Sequence, residues 1–173
     1  MSKGLLIVYT GNGKGKTTAA LGLAFRALGH GFRVSFIQFI KGSWNYGEME
    51  SARLFDSMMD FHVLGKGFTW KSLDIDEDTA MACQAWEFAK GQIASGRFQV
   101  VVLDELTYLM KYGMVEEAEV VRALADRPDG LHVVVTGRDA PASLIETADL
   151  VTEMKDIKHP YTKGIKAQKG IEF

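Results

Sequence analysis

The run Thr10-Gly11-Asn12-Gly13-Lys14-Gly15-Lys16-Thr17-Thr18 has the residue types and spacing that hold a phosphate chain. Its glycines let the backbone approach an anion closely and adopt positive φ. Consecutive N–H groups and the amino end of a following helix then point at phosphate oxygens. In such a loop Lys16 supplies a point charge to the phosphates and Thr17 a hydroxyl to Mg²⁺. The usual pattern sets four residues between its first glycine and Gly-Lys-Thr. Here Thr10 stands where that glycine belongs, Gly11 comes one place late, and Lys14 adds a second lysine. The departure points to an unusual arrangement of phosphates. The plainer alternative is a glycine-rich turn that binds nothing.

A second run, Val100-Val101-Val102-Leu103-Asp104-Glu105, is an apolar strand ending in two acids, like a Walker B element. In a parallel sheet this strand can lie beside the first one. Asp104 and Glu105 would then reach Mg²⁺ at the Lys16/Thr17 end, directly or through water. Either acid could instead cap the next helix, and spacing does not say which of the two is the direct ligand. Thr136-Gly137-Arg138 follows another strand and sets Arg138 at the mouth of the site. A guanidinium there suits bidentate phosphate contact, although a surface arginine in a turn is equally compatible. Two loops carry large aromatics after strands: Phe39-Ile40-Lys41-Gly42-Ser43-Trp44, and Gly65-Lys66-Gly67-Phe68-Thr69-Trp70. Such side chains either fold back onto a core or form a movable apolar wall for a large flat ligand.

These groups need a scaffold that gathers them. Apolar or β-rich runs at residues 5–9, 33–39, 61–64, 99–103, 131–136 and 150–153 predict strands. The first and fourth are nearly all apolar, as in strands buried on both faces. Helical patterns occupy 16–28, 76–95, 115–125 and 142–147. The second of these places Ala82, Ala85, Trp86, Ala89 and Ile93 on one face, between an acidic first turn and Gly96. Strands alternating with helices predict an α/β fold: a mostly parallel sheet with helices on both faces. Right-handed crossovers then put the ligand site at the carboxyl ends of the strands.

The chain of 173 residues suits one domain, 1–173. A net charge of −2 argues against a nucleic-acid coat. The one cysteine, Cys83, cannot form an internal disulfide and points to a reducing compartment. With no signal-peptide pattern and no apolar run near the ~20 residues of a membrane span, the expectation is a cytoplasmic protein that engages neither membrane nor nucleic acid. No histidine shows zinc-ligand spacing with Cys83. Residues 155–173 carry a net +3 against the overall −2. Tyr161, Ile165, Ile171 and Phe173 are interleaved there, which predicts a basic segment packed near an anionic-ligand site.

Taken together, the segments GNGKGKTTAA from Gly11, QFIKG from Gln38, GFTW from Gly67, VLDELTY from Val102, TGR from Thr136 and the terminal KAQKGIEF span nearly the whole chain. In this order the chain resembles the phosphate-loop cob(I)alamin (corrinoid) adenosyltransferases. The resemblance implies a RecA-like fold, and transfer of the 5′-deoxyadenosyl group of ATP to cobalt(I) of cobalamin or a corrinoid precursor, with release of triphosphate. It implies a place in adenosylcobalamin synthesis or salvage, Mg²⁺, a homodimer, and a reductase or flavodoxin-like electron donor. It implies that residues Gly11 to Thr18, with Lys16 foremost, and Arg138 hold ATP, bound in reversed polarity on the short loop. Thr17 and Glu105, with or without Asp104, would serve Mg²⁺. Phe68 and Trp70 would pack on the corrinoid's lower face and displace its axial base. Only Met1 to Gly4 precede the first strand, so the N-terminal lid of some relatives does not carry over. Two other readings share the phosphate loop. A phosphotransferase or NTPase would release ADP and phosphate, and a non-catalytic nucleotide switch would bind without turnover.

Overall fold

The structure is a computed structural model that describes residues 3–41, 46–65 and 75–173. Its sheet follows from how the apolar runs divide. In β4 (Val100–Asp104), Val101 and Leu103 face one buried cluster while Val100 and Val102 face another. β1 (Leu6–Thr10) divides the same way, Leu6 and Val8 against Ile7. Successive side chains of a strand point to opposite faces, so a strand apolar at every position belongs in a sheet covered on both sides. The other described strands are β2 (Val34–Gln38), β3 (Met59–Val63), β5 (His132–Thr136) and β6 (Leu150–Glu153). Their order is β3-β2-β4-β5-β1-β6, and every pairing is parallel.

That order corrects one expectation: β4 does not lie beside β1. Both edges of β1 are taken, by β5 in the register Leu6↔Val133 and by β6 in the register Ile7↔Leu150. β5 therefore separates β1 from β4. Helix α1 (Lys16–Gly29) spans the gap, packing on β1, β4 and β5. Its buried residues are Ala20, Ala24, Ala27 and Leu28. Three of the four are alanines, and short side chains let a helix lie close to the sheet.

On the opposite face, α3 (Ile75–Ala94) buries Ala82, Ala85, Trp86, Ala89 and Ile93, the face read from its periodicity. α5 (Glu117–Ala125) and α6 (Ala142–Thr147) cover the same side. Two short helices, α2 (Gly47–Arg53) and α4 (Leu106–Lys111), are not apparent in the sequence pattern. α2 buries only Ala52 and α4 is buried at four of its six positions, so neither shows a one-sided apolar face to read.

After β6 the chain crosses the loop end of the sheet and makes a single 3₁₀ turn at Pro160–Lys163. Its apolar residues stay out of the core. Tyr161 and Ile171 are 79% and 68% exposed, and Ile165 and Phe173 are also exposed. Helices already cover both faces of the sheet, so the segment finds only a rim to lie on. Among the described residues no helix is long and apolar enough to cross a membrane.

Candidate functional site

β1 ends at Thr10 and α1 begins at Lys16, so residues 11–15 form a tight loop at the carboxyl end of the sheet. Gly15 precedes the helix with φ 115°, and no side chain caps the first-turn N–H groups. They are left for an anion. Gly11 has φ 94°, a conformation side chains resist. Gly13 is needed for space. A Cβ there would sit 2.7 Å from the Met154 carbonyl oxygen and the Lys155 carbonyl carbon, and the Gly13 N–H donates to Met154 O at 2.6 Å. The chain leaving β6 is thus the outer wall of the loop. The alternating glycines were the available signal for this contact.

Lys16 Nζ lies across the loop and donates to Gly11 O at 2.8 Å and Gly13 O at 2.6 Å. Burial, and then the nearby Arg138 charge, lower its pKa below the usual lysine value. Arg138 is positioned from β5: Thr107 Oγ1 donates to the Arg138 carbonyl at 2.7 Å, and Gly137 presses so close to Thr107 that no Cβ would fit.

Beneath the loop, Asp104 is fully buried and engaged by three side chains. Thr17 Oγ1 donates to Oδ1 at 2.9 Å, Thr136 Oγ1 to Oδ1 at 2.7 Å, and Gln38 Nε2 to Oδ2 at 3.2 Å. The Gln38↔Asp104 register of β2 and β4 sets the last of these. Burial raises the Asp104 pKa, while the Thr136 hydrogen bond, the Lys41 charge and the Thr17 and Gln38 hydrogen bonds oppose the rise. Gln38 and Thr136 were not picked out from the sequence as partners of Asp104. Nothing local marks them, because each comes from a different strand.

Glu105 is arranged differently. Its backbone is left-handed, φ 67°, and its N–H donates to Thr136 Oγ1 at 2.9 Å. Among the described residues its carboxylate accepts no hydrogen bond. Burial, then the Asp104 charge, push its pKa up to about 7 against the pull of Lys41, Lys16 and Arg138. It also stands as the N-cap residue of α4, so the capping position and the cavity-facing acid coincide, but its side chain makes no capping bond.

These groups line one cavity of about 840 Å³, within the size range of small-ligand pockets. Asn12 to Thr18, Glu105 and Arg138 line it, as do Lys41 and Glu48. The basic segment contributes His159, Tyr161, Glu172 and Phe173 to the rim. Lys14 Nζ reaches Ile171 O at 3.4 Å and Glu172 Oε1 at 3.5 Å. Phe68, Trp70 and Trp44 lie outside the described residues. Phe39, expected on an aromatic loop, is 5% exposed and belongs to the core.

The donor set fits Mg²⁺. Thr17 spends its hydroxyl hydrogen on Asp104, which leaves its lone pairs available, and Glu105 offers a carboxylate that accepts no hydrogen bond among the described residues. Among the described residues no group of three or more His, Cys, Asp or Glu could cage a metal. A cation held by one or two hard oxygen ligands plus phosphate oxygens is the type that suits such a site.

Comparison with known proteins adds to this geometry. A family model described as ATP:corrinoid adenosyltransferase BtuR/CobO/CobP matches residues 2–173. A corrinoid adenosyltransferase of Sinorhizobium sp is 50% identical over 173 residues, covering 99% of this chain and 81% of its own. The corrinoid adenosyltransferase of Escherichia coli (strain K12) is 44% identical over 171 residues, covering 99% of this chain and 86% of its own. Flagellar accessory protein FlaH from Methanocaldococcus jannaschii shares the fold with a TM-score of 0.57 at 14% identity, over 88% of this chain and 72% of its own.

Proposed function

The chain belongs to the ATP:corrinoid adenosyltransferase family BtuR/CobO/CobP and is a corrinoid adenosyltransferase with a RecA-like P-loop fold, and from that premise we propose how its residues divide the reaction. ATP and a corrinoid are the substrates. The cobalt(I) electron pair attacks C5′ of ATP, the C5′–O bond breaks, and triphosphate leaves with the bonding pair. No proton is removed from the reacting atoms, so no general base is required. Catalysis rests on alignment and on neutralising the leaving group.

The loop N–H groups, Lys16, Lys14 and Arg138 bind the triphosphate. Thr17 and Glu105 hold Mg²⁺, and Asp104 orients Thr17 from below. Mg²⁺ supplies charge neutralisation on the phosphate oxygens. The observation that carries this division is the contrast between the two acids. Asp104 is buried and committed to three donors, whereas Glu105 lines the cavity and, among the described residues, accepts no hydrogen bond on its carboxylate. The late Gly11 and the crowded Gly13 support a short loop of the kind associated with ATP in reversed polarity.

On the family's pattern, Phe68 and Trp70 pack on the corrinoid's lower face. They keep cobalt(II) four-coordinate and easier to reduce by a flavodoxin-like or other reductase. The same pattern supports a homodimer of single-domain subunits acting in the cytoplasm, with residues 155–173 along the nucleotide site.

Incubation with ATP, Mg²⁺ and cobalt(I) corrinoid tests the chemistry. Adenosylated corrinoid and triphosphate in equal amounts are expected; ADP and phosphate would overturn it. Phe68→Ala should slow turnover from cobalt(II) and spare chemically pre-reduced cobalt(I). Equal loss on both would remove the axial-ligand role.

A further inference from the structure

Lys41 is a cavity cation to which the sequence pattern assigns no task. It lies just past β2, three residues beyond Gln38. Its Nζ is 2.5 Å from Glu48 Oε1 and 4.6 Å from the centroid of the Tyr46 ring. The ion pair is largely withdrawn from solvent, with side-chain exposures of 18% and 15%. Lys41 and Glu48 nevertheless both line the same cavity as Lys16. The Lys41 charge also reaches Asp104 and Glu105, where it favours the ionised carboxylates.

Glu48 has partners besides Lys41. Burial works to raise its pKa, but the Lys41 hydrogen bond, its own backbone N–H and the Gln38 amide together hold it below the usual glutamate value. Among the described residues the other contact of Lys41 is the face of the Tyr46 ring. A polyanion entering the cavity offers Lys41 more negative charge than one carboxylate does, and repels Glu48. The pair is built to exchange.

We propose that Lys41 is a further triphosphate-binding residue, held by Glu48 before ATP binds and transferred to the phosphate chain when it does. This role rests on the phosphate chain lying in the loop of Lys16. Glu48 is then a competitor for Lys41, and it sets the affinity of the site for polyphosphate.

The test is calorimetric binding of inorganic triphosphate with Mg²⁺, with thermal unfolding run on each variant. A charge-assisted contact of this kind corresponds to roughly 10-fold or more in affinity. Lys41→Ala should weaken binding by about that factor, and Lys41→Arg should restore most of it. Glu48→Gln, which keeps the shape and removes the competing charge, should tighten binding several-fold. A purely structural ion pair predicts lower thermal stability in both Lys41→Ala and Glu48→Gln, with triphosphate affinity unchanged. Wild-type affinity in Lys41→Ala, or no tightening in Glu48→Gln, overturns the proposal. Lys16→Ala separates this from the underlying site. If Lys16→Ala alone loses triphosphate, the loop site stands and the Lys41 role falls. If neither lysine matters, both fall.

Discussion

Asp149 and Glu105 stand at opposite ends of one parallel sheet and are treated in opposite ways. Asp149, at the amino end, accepts from the Leu6 N–H at 2.8 Å, from Lys3 at 2.5 Å and from Arg127 Nη2 at 2.9 Å. The Leu6 hydrogen bond first, and then Lys3, hold its carboxyl down to about 2. Glu105, at the carboxyl end, is half-buried, accepts no hydrogen bond on its carboxylate among the described residues, and is pushed up to about 7. The amino end satisfies its acid and ties the first strand to the last. The carboxyl end leaves its acid unsatisfied, in a left-handed backbone conformation. A group held unsatisfied at the mouth of a cavity is a binding group in waiting. The difference teaches which end of the sheet is fastened and which is kept for ligand.

The comparison breaks most visibly at the loop. Lys16→Ala should cut kcat/KM for ATP by about 10³-fold, the scale of losing a charged group that stabilises a leaving group, with little change in Tm. A comparable fall in Tm would mean that the loop end is structural after all. Glu105→Gln should reduce Mg²⁺-dependent turnover by about 10²-fold, yet raise the thermal stability of the nucleotide-free protein at pH 8. Loss of both activity and stability would place Glu105 with Asp149.

Stability against pH sharpens the same contrast. A raised folded pKa means that Glu105 favours folding below its unfolded value near 4.5, and that this contribution is lost as pH rises through about 7. The full change is roughly 3 kcal/mol. Asp149 has the opposite sign. Its contribution is present above 3.8 and lost as pH falls through about 2. Denaturant unfolding of the metal-free protein should show Glu105→Gln flattening the slope between pH 4.5 and 7. Asp149→Asn should flatten it between pH 2 and 4 and leave KM for ATP unchanged. The smallest effect is expected at Thr136→Val, which removes one donor to Asp104 and the acceptor for the Glu105 N–H. It should cost about 1–3 kcal/mol by denaturant unfolding, with a modest rise in KM for ATP.

Much of this was legible before any coordinates. Glycine spacing and Lys-Thr marked the loop. Runs apolar at every position marked strands covered on both sides, and the α3 face at Ala82, Ala85, Trp86, Ala89 and Ile93 was read correctly residue by residue. These are local codes, carried by backbone freedom and by the periods of strand and helix. The short helices α2 and α4 have no one-sided apolar face to read, and nothing in the tail's alternation of lysines and apolar residues says how exposed it lies.

What tertiary structure alone decided is the work of each acid. Asp104 is committed because Thr17, Gln38 and Thr136 converge on it from positions 87, 66 and 32 residues away. That convergence depends on strand order, with β5 between β1 and β4 and α1 bridging them. Strand order is a property of which buried edges pair, and no local pattern contains it. The sequence by itself determined that a phosphate loop and two acids exist at the carboxyl end of a parallel sheet. Only packing determined that one acid is tied down beneath the loop and the other is left facing the cavity.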